Sequence, residues 1–209
     1  MSSSCQVTLR ELQPADLDSA AQLLGCGMSD NPVNLRAFAI VGSARRQKAL
    51  ARFFRPVLSG LYRRGLIYGA FCNEALVGVC GIARPGFCQP AVLEKLSIVP
   101  ALVLGTPGGT TFRVLKWAGE WAQHDPLQTH WHLGPVAVDP RFWGRGIGSA
   151  MLTAFCAHMD AYGACSYLET DRRENVRFYQ RFHFEVLGET AVLGVPNWFM
   201  LRRGRTLQP

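Results

Sequence analysis

Apolar and polar positions divide the chain into alternating elements. "VTLRELQPADLDSAAQLL" reads as a short strand, a turn and a helix, with Pro14 suited to a first helical turn and Leu17, Ala20, Ala21 and Leu24 at helical spacing. Gly25, Gly27 and Pro32 break this pattern. Leu50, Ala51, Phe54 and Leu58 restore the helical period over 43–58, and Gly60 and Gly65 are expected to interrupt it. Residues 66–83 predict two strands joined at Asn73-Glu74. Residues 91–124 predict two helical pieces, broken near Pro100 and at "GTPGG", with Val114, Leu115, Ala118, Trp121 and Ala122 on one face.

"THWHLGPVAV" predicts a strand whose Gly134-Pro135 pair interrupts the ladder as a bulge or splay. A glycine-rich turn follows, then a helix to about 162 in which Ile147, Met151, Ala154, Phe155 and Tyr162 recur at helical spacing. "CSYLET" predicts a strand, "ENVRFYQRF" a short helix capped by Asn175, and "FEVLGETAVL" and "NWFML" the closing strands. The order predicts a mixed α/β fold. One domain over 1–209 is expected, with a helical insert at about 85–125 between the third and fourth strands.

Composition narrows the function classes. The 48% apolar and 18% charged fractions are ordinary for a globular protein. No apolar run reaches the roughly 18 residues of a membrane span, and the first residues lack the pattern of a signal peptide. The seven cysteines form no Cys-x-x-Cys pair, so free thiols and a cytoplasmic location are expected. The net charge of +7 favours acidic partners. The basic residues, among them Arg202, Arg203 and Arg205, are scattered without a dense stripe or interleaved aromatics, so no nucleic-acid partner is expected.

The chemistry concentrates in "VDPRFWGRGIGSAML". A dinucleotide fingerprint requires Gly or Ala at the sixth position, but Ser149 and Met151 stand there, counted from Gly144 and Gly146. A P-loop needs Lys after its last glycine, and Gly148 is followed by Ser149. What remains is a strand end, a turn at Asp139-Pro140 and glycines at a helix entry. There, free amides and the helix dipole suit phosphate oxygens.

"VAVDPRFWGRGIGSAML" resembles the acetyl-CoA-binding motif of the GNAT superfamily of N-acetyltransferases, with Trp143 where the family has Gln or Arg. "YLETDRRENVRFYQRFHFEV" is similar to its following strand and "FYxxxGF" corner, with His183 in place of Gly. The layout is also similar to that of puromycin N-acetyltransferase-like members. The resemblance implies a mostly antiparallel central sheet with splayed central strands and helices on both faces.

It also implies that Val136, Ala137 and Val138 bond the pantetheine arm through their backbone. Gly144, Arg145, Gly146, Ile147, Gly148 and Ser149 would hold the pyrophosphate. Tyr179 would protonate the leaving thiolate, against the alternative of a packed aromatic. Asn175 would bond the pantetheine arm, cap its helix, or both.

The base that deprotonates the amine is expected to be Glu169, at the end of its strand, with His132 second. The alternative for Glu169 is a salt bridge to an arginine such as Arg172. His130 and His132 share a strand face, but no third metal ligand of obvious spacing accompanies them, and no metal is expected.

The function expected is acetyl transfer from acetyl-CoA to a primary amine, on a small molecule or a peptide, by direct attack in a ternary complex. The other reading is a non-catalytic acyl-CoA-binding module, kept open by Trp143 and His183. A homodimer is compatible with the closing strands.

Overall fold

The computed structural model describes residues 6–204, so Cys5 and Arg205 lie outside the described residues. The first strand, β1 (Val7–Glu11), leads through a turn into α1 (Leu17–Gly27), whose buried stripe is Leu17, Ala20, Ala21, Leu23 and Leu24. The short α2 (Pro32–Phe38) starts on Pro32, where a missing amide costs nothing. Gly60 does not end the next helix, α3 (Ser43–Arg64). A β-carbon at Gly60 would sit 2.9 Å from Glu94 Oε1, so this glycine admits a neighbouring helix.

The hairpin of β2 (Gly65–Cys72) and β3 (Ala75–Ala83) turns on Asn73 and Glu74, both at positive φ. The expected insert follows as α4 (Val92–Val103) and α5 (Thr110–Ala122). Pro100 lies inside α4 and does not break it; the break comes after Val103. On α5, Val114 is buried but Leu115 is exposed, so the predicted apolar face is narrower than expected.

The second half carries β4 (Trp131–Val138), α6 (Ile147–Ala161), β5 (Ser166–Thr170), α7 (Arg173–Gln180), β6 (Glu185–Val192) and β7 (Val195–Arg202). Seven strands form one sheet in the order β1-β2-β3-β4-β5-β7-β6. Every neighbouring pair is antiparallel except β4 and β5.

A helical layer covers each face. Leu24, Phe38, Leu50, Phe54 and Leu58 form a core over one face. On the other, Ile147, Met151, Leu152 and Phe155 of α6 and Val176 and Tyr179 of α7 pack on Leu133 and Leu168.

Cys26, Cys80, Cys88, Cys156 and Cys165 are not in disulfides. Cys72 is disulfide-bonded, a departure from the expectation of free thiols throughout. Among the described residues no helix is long and apolar enough to cross a membrane.

Candidate active site

The central strands separate. β4 pairs with β5 only at Trp131–Ser166 and His132–Tyr167, and from there to its end β4 pairs with no strand but β3 among the described residues. The sequence cause is Gly134-Pro135. On β3, Gly81 alone faces this pair, between the registers Cys80–Val136 and Ile82–Leu133. A β-carbon on Gly81 would lie 2.8 Å from Gly134 O and 2.9 Å from Pro135 Cδ, so the bulge needs a glycine across from it. Gly134, Pro135, Val136 and Val138 are therefore half-buried in the middle of a seven-stranded sheet, while Ala137 is buried. The carbonyl and amide groups of Val136–Val138 next to β5 face a gap.

The gap ends at a glycine-rich turn. Asp139 Oδ1 accepts the amide of Arg141 at 2.9 Å, and hydrogen bonds from Arg141 hold the Asp139 carboxyl below its ordinary range. Trp143, in the family's Gln/Arg position, donates its indole N–H to Val138 O at 2.9 Å and so fastens the turn to the strand end.

Gly144 and Gly146 have φ of 74° and 79°, and a β-carbon on either would meet nothing within 4 Å. These positions need glycine for backbone conformation, and the space above them is open. Gly146 caps α6 without a side-chain bond, and the first amide to bond back is Ala150, to Gly146 O at 2.9 Å. The amides of Ile147, Gly148 and Ser149 are thus free of helical partners at the positive end of a fifteen-residue helix. Arg145 is exposed beside them, its guanidinium 5.0 Å from the Phe142 ring centroid.

At the closed end of the gap the two candidate bases form one pair. His132 Nε2 lies 2.8 Å from Glu169 Oε2, and the Glu169 side chain is only 2% exposed. Burial alone would strip the proton from His132, but the Glu169 charge and its hydrogen bond hold the imidazolium up to about 10. His132 is therefore an imidazolium at neutral pH. Glu169 Oε1 is buried with no hydrogen-bond partner among the described residues and is available as an acceptor. Arg172 takes no part: it pairs with Asp30 at 3.0 Å.

Cys88, which the sequence reading left out, lies beside the histidines, its Sγ 3.3 Å from His130 Nε2. Burial raises this thiol, and the two imidazoles more than reverse that, to about 7. Its only sequence signal was a cysteine in a turn-rich segment.

Tyr179 is 8% exposed, with its ring edge-on to Phe178 and Phe184. Burial pushes its phenol well above the ordinary range, so it carries its proton at neutral pH. It belongs to the cluster that includes Leu133 of β4 and Leu168 of β5, whereas His132 and Glu169 flank the Tyr167 face of the sheet.

Asn175 is not a cap. Arg172, extended at φ −128°, holds that position, and Asn175 is the third residue of α7, donating Nδ2 to Thr170 Oγ1 at 3.1 Å. His183 keeps the corner that Gly makes in the family by adopting φ 64° itself.

Of the aromatics considered for an acceptor pocket, Phe38 and Phe54 are core. Trp117 and Trp121 stand edge to face, and Trp121 donates to Asn197 Oδ1 at 3.0 Å, tying the insert to β7.

The sequence pattern of the acetyltransferase (GNAT) family matches residues 43–184. Solved structures share the fold. A histone acetyltransferase HPA2 and related acetyltransferase from Corynebacterium glutamicum is 24% identical with a TM-score of 0.70, over 97% of this chain and 99% of that one. The Drosophila melanogaster polyamine N-acetyltransferase, a catalyst of N-acetylagmatine formation, is 12% identical with a TM-score of 0.63, over 95% and 100%. The Escherichia coli ribosomal-protein-S18-alanine N-acetyltransferase is 14% identical with a TM-score of 0.56, over 97% of each chain. The family's pattern, spanning the glycine turn and the separated strands, shows that this chain belongs to the acetyltransferase (GNAT) family.

Proposed function

We propose that this protein transfers an acetyl group from acetyl-CoA to a primary amine by direct attack in a ternary complex. The observation that carries the reading is the gap between β4 and β5, with free helix amides at one end and a buried carboxylate at the other. The pyrophosphate would take the amides of the 144–149 turn. The pantetheine amides would bond the backbone of Val136–Val138, which brings the thioester toward the closed end of the gap.

Glu169 Oε1 takes the proton from the substrate ammonium, and His132 holds the carboxylate in place as its imidazolium partner. The freed amine attacks the thioester carbonyl, the C–S bond breaks, the thiolate leaves with a proton from Tyr179, and the proton then lost from the new amide nitrogen restores the Tyr179 phenol through solvent. Asn175 supports this wall through Thr170.

The test is calorimetric titration with acetyl-CoA, followed by a thiol-release assay over a panel of small amines and peptide N-termini. Wild type should bind. Gly146→Glu, which places a carboxylate over the free amides, should lose binding at least about tenfold. Glu169→Gln should keep binding and lose about a hundredfold or more in kcat. Absence of acetyl-CoA binding by wild type overturns the reading.

A further inference from the structure

The pair at the closed end of the gap has a third neighbour. Asp125, from the connection between α5 and β4, approaches His132 and Glu169 so that one ligand atom from each lies within 4.8 Å of the other two. Each of the three also keeps a buried polar atom with no hydrogen-bond partner among the described residues: Asp125 Oδ1, His132 Nδ1 and Glu169 Oε1. Each is a cost to the fold, because a buried polar atom left without a partner costs about 1–3 kcal/mol.

We propose that Asp125, His132 and Glu169 form a site for a divalent transition metal of the zinc type, whose occupancy stops acetyl transfer. One imidazole and two carboxylates suit zinc better than magnesium or calcium, which favour oxygen ligands alone. In a tetrahedral site with bonds near 2.1 Å the ligand atoms stand about 3.4 Å apart, so the widest separation here closes by little more than about an ångström. Asp125 is already oriented, since Gln89 Nε2 donates to its Oδ2 at 2.6 Å, the kind of support that fixes a ligating carboxylate.

Three protein ligands leave a fourth position open. Binding follows from the geometry alone, whereas inhibition rests on the acetyl-transfer reading, because the metal would occupy the carboxylate that removes the amine proton.

The test uses the full chain stripped of metal. Calorimetry with Zn²⁺ should give one strong site per chain, and Co²⁺ should give the visible bands of a low-coordinate centre. Asp125→Asn and Glu169→Gln should weaken both by at least about tenfold. Cys88→Ser should leave them unchanged.

In the thiol-release assay Zn²⁺ should inhibit wild type. Asp125→Asn, outside the catalytic machinery, should keep basal turnover and escape inhibition. No Zn²⁺ binding, equal binding of Mg²⁺, indifference to Asp125→Asn, or loss in Cys88→Ser would overturn the site; the last would move the metal to the Cys88–His130 pair. If Zn²⁺ binds as expected but no amine is acetylated, the metal site stands and the proposed function falls.

Discussion

The Asp171 carboxylate accepts the backbone amide of Val33 at 2.8 Å, joining the end of β5 to the first turn of α2 across 138 residues. Asn31 Nδ2 donates to the same carboxylate at 3.4 Å, and Arg172 reinforces the join by donating to Asp30 O at 2.8 Å. The bond is the N-terminal cap of α2, supplied from another part of the chain. Burial raises the Asp171 carboxyl, despite the amide bonds that oppose it. The negative charge is therefore a cost here and the acceptor oxygen the benefit. Asp171→Asn, which retains an acceptor oxygen, should be close to neutral. Asp171→Ala should lose about 1–2 kcal/mol, read from urea unfolding.

The His132–Glu169 pair gives stability a pH dependence. The imidazolium is held to about 10 in the folded chain, against 6.5 for the ordinary side chain. A folded value above the unfolded one means that the folded state binds the proton more tightly. This contribution is complete below about pH 6.5 and is lost as the pH rises toward about 10. The wild-type thermal midpoint should fall over that window, and His132→Gln should flatten the fall. Equal slopes for the two proteins would show that the pair does not hold its proton in the fold.

Tyr179→Phe separates chemistry from packing. Phenylalanine fills the same place beside Phe178 and Phe184 and removes only the hydroxyl. kcat should fall about a hundredfold, with acetyl-CoA affinity and thermal midpoint near wild type. An unchanged kcat would return Tyr179 to the role of a packed aromatic.

The β2–β3 turn is strained by its second residue. Glu74 is exposed and sits at φ 66°, beside Asn73 at φ 46°. Both central residues of this turn need positive φ, and Asn-Gly is the pair best suited to it. Glu74→Gly should raise stability by about 0.5–1 kcal/mol, the left-handed strain relieved less the extra freedom of glycine in the unfolded chain. Differential scanning calorimetry reads it as a higher midpoint.

What could be read from the sequence was local. The turn at Asp139-Pro140 and the glycines after it are contiguous, and Gly134-Pro135 announced the separation of the strands from within its own segment. Gly60 and Pro100 misled for the opposite reason. Each reads as a helix breaker, but the Glu94 side chain that fills the space at Gly60 lies on another helix. Asn175 was placed as a cap because Asn favours caps, yet the helix starts two residues earlier from an arginine in extended conformation.

Glu169 and His132 entered as competing bases and are partners. Two residues of parallel pairing bring them together, and a register that short leaves no trace in a periodicity. Asp125 and Cys88 lie in connections, where hydrophobic spacing says nothing about what a side chain will meet.

The separation of β4 from β5 has a consequence for the free protein. A sheet normally has edges only at its outer strands; this one has two more in its interior, where β4 and β5 part. An interior edge is a template. A linear molecule carrying amides can lie along it as an added strand would, and so becomes a structural member of the sheet while it is bound. Its grip is then shared with folding: at a hundred times its dissociation constant such a molecule adds about 2.7 kcal/mol to the stability of the chain that holds it.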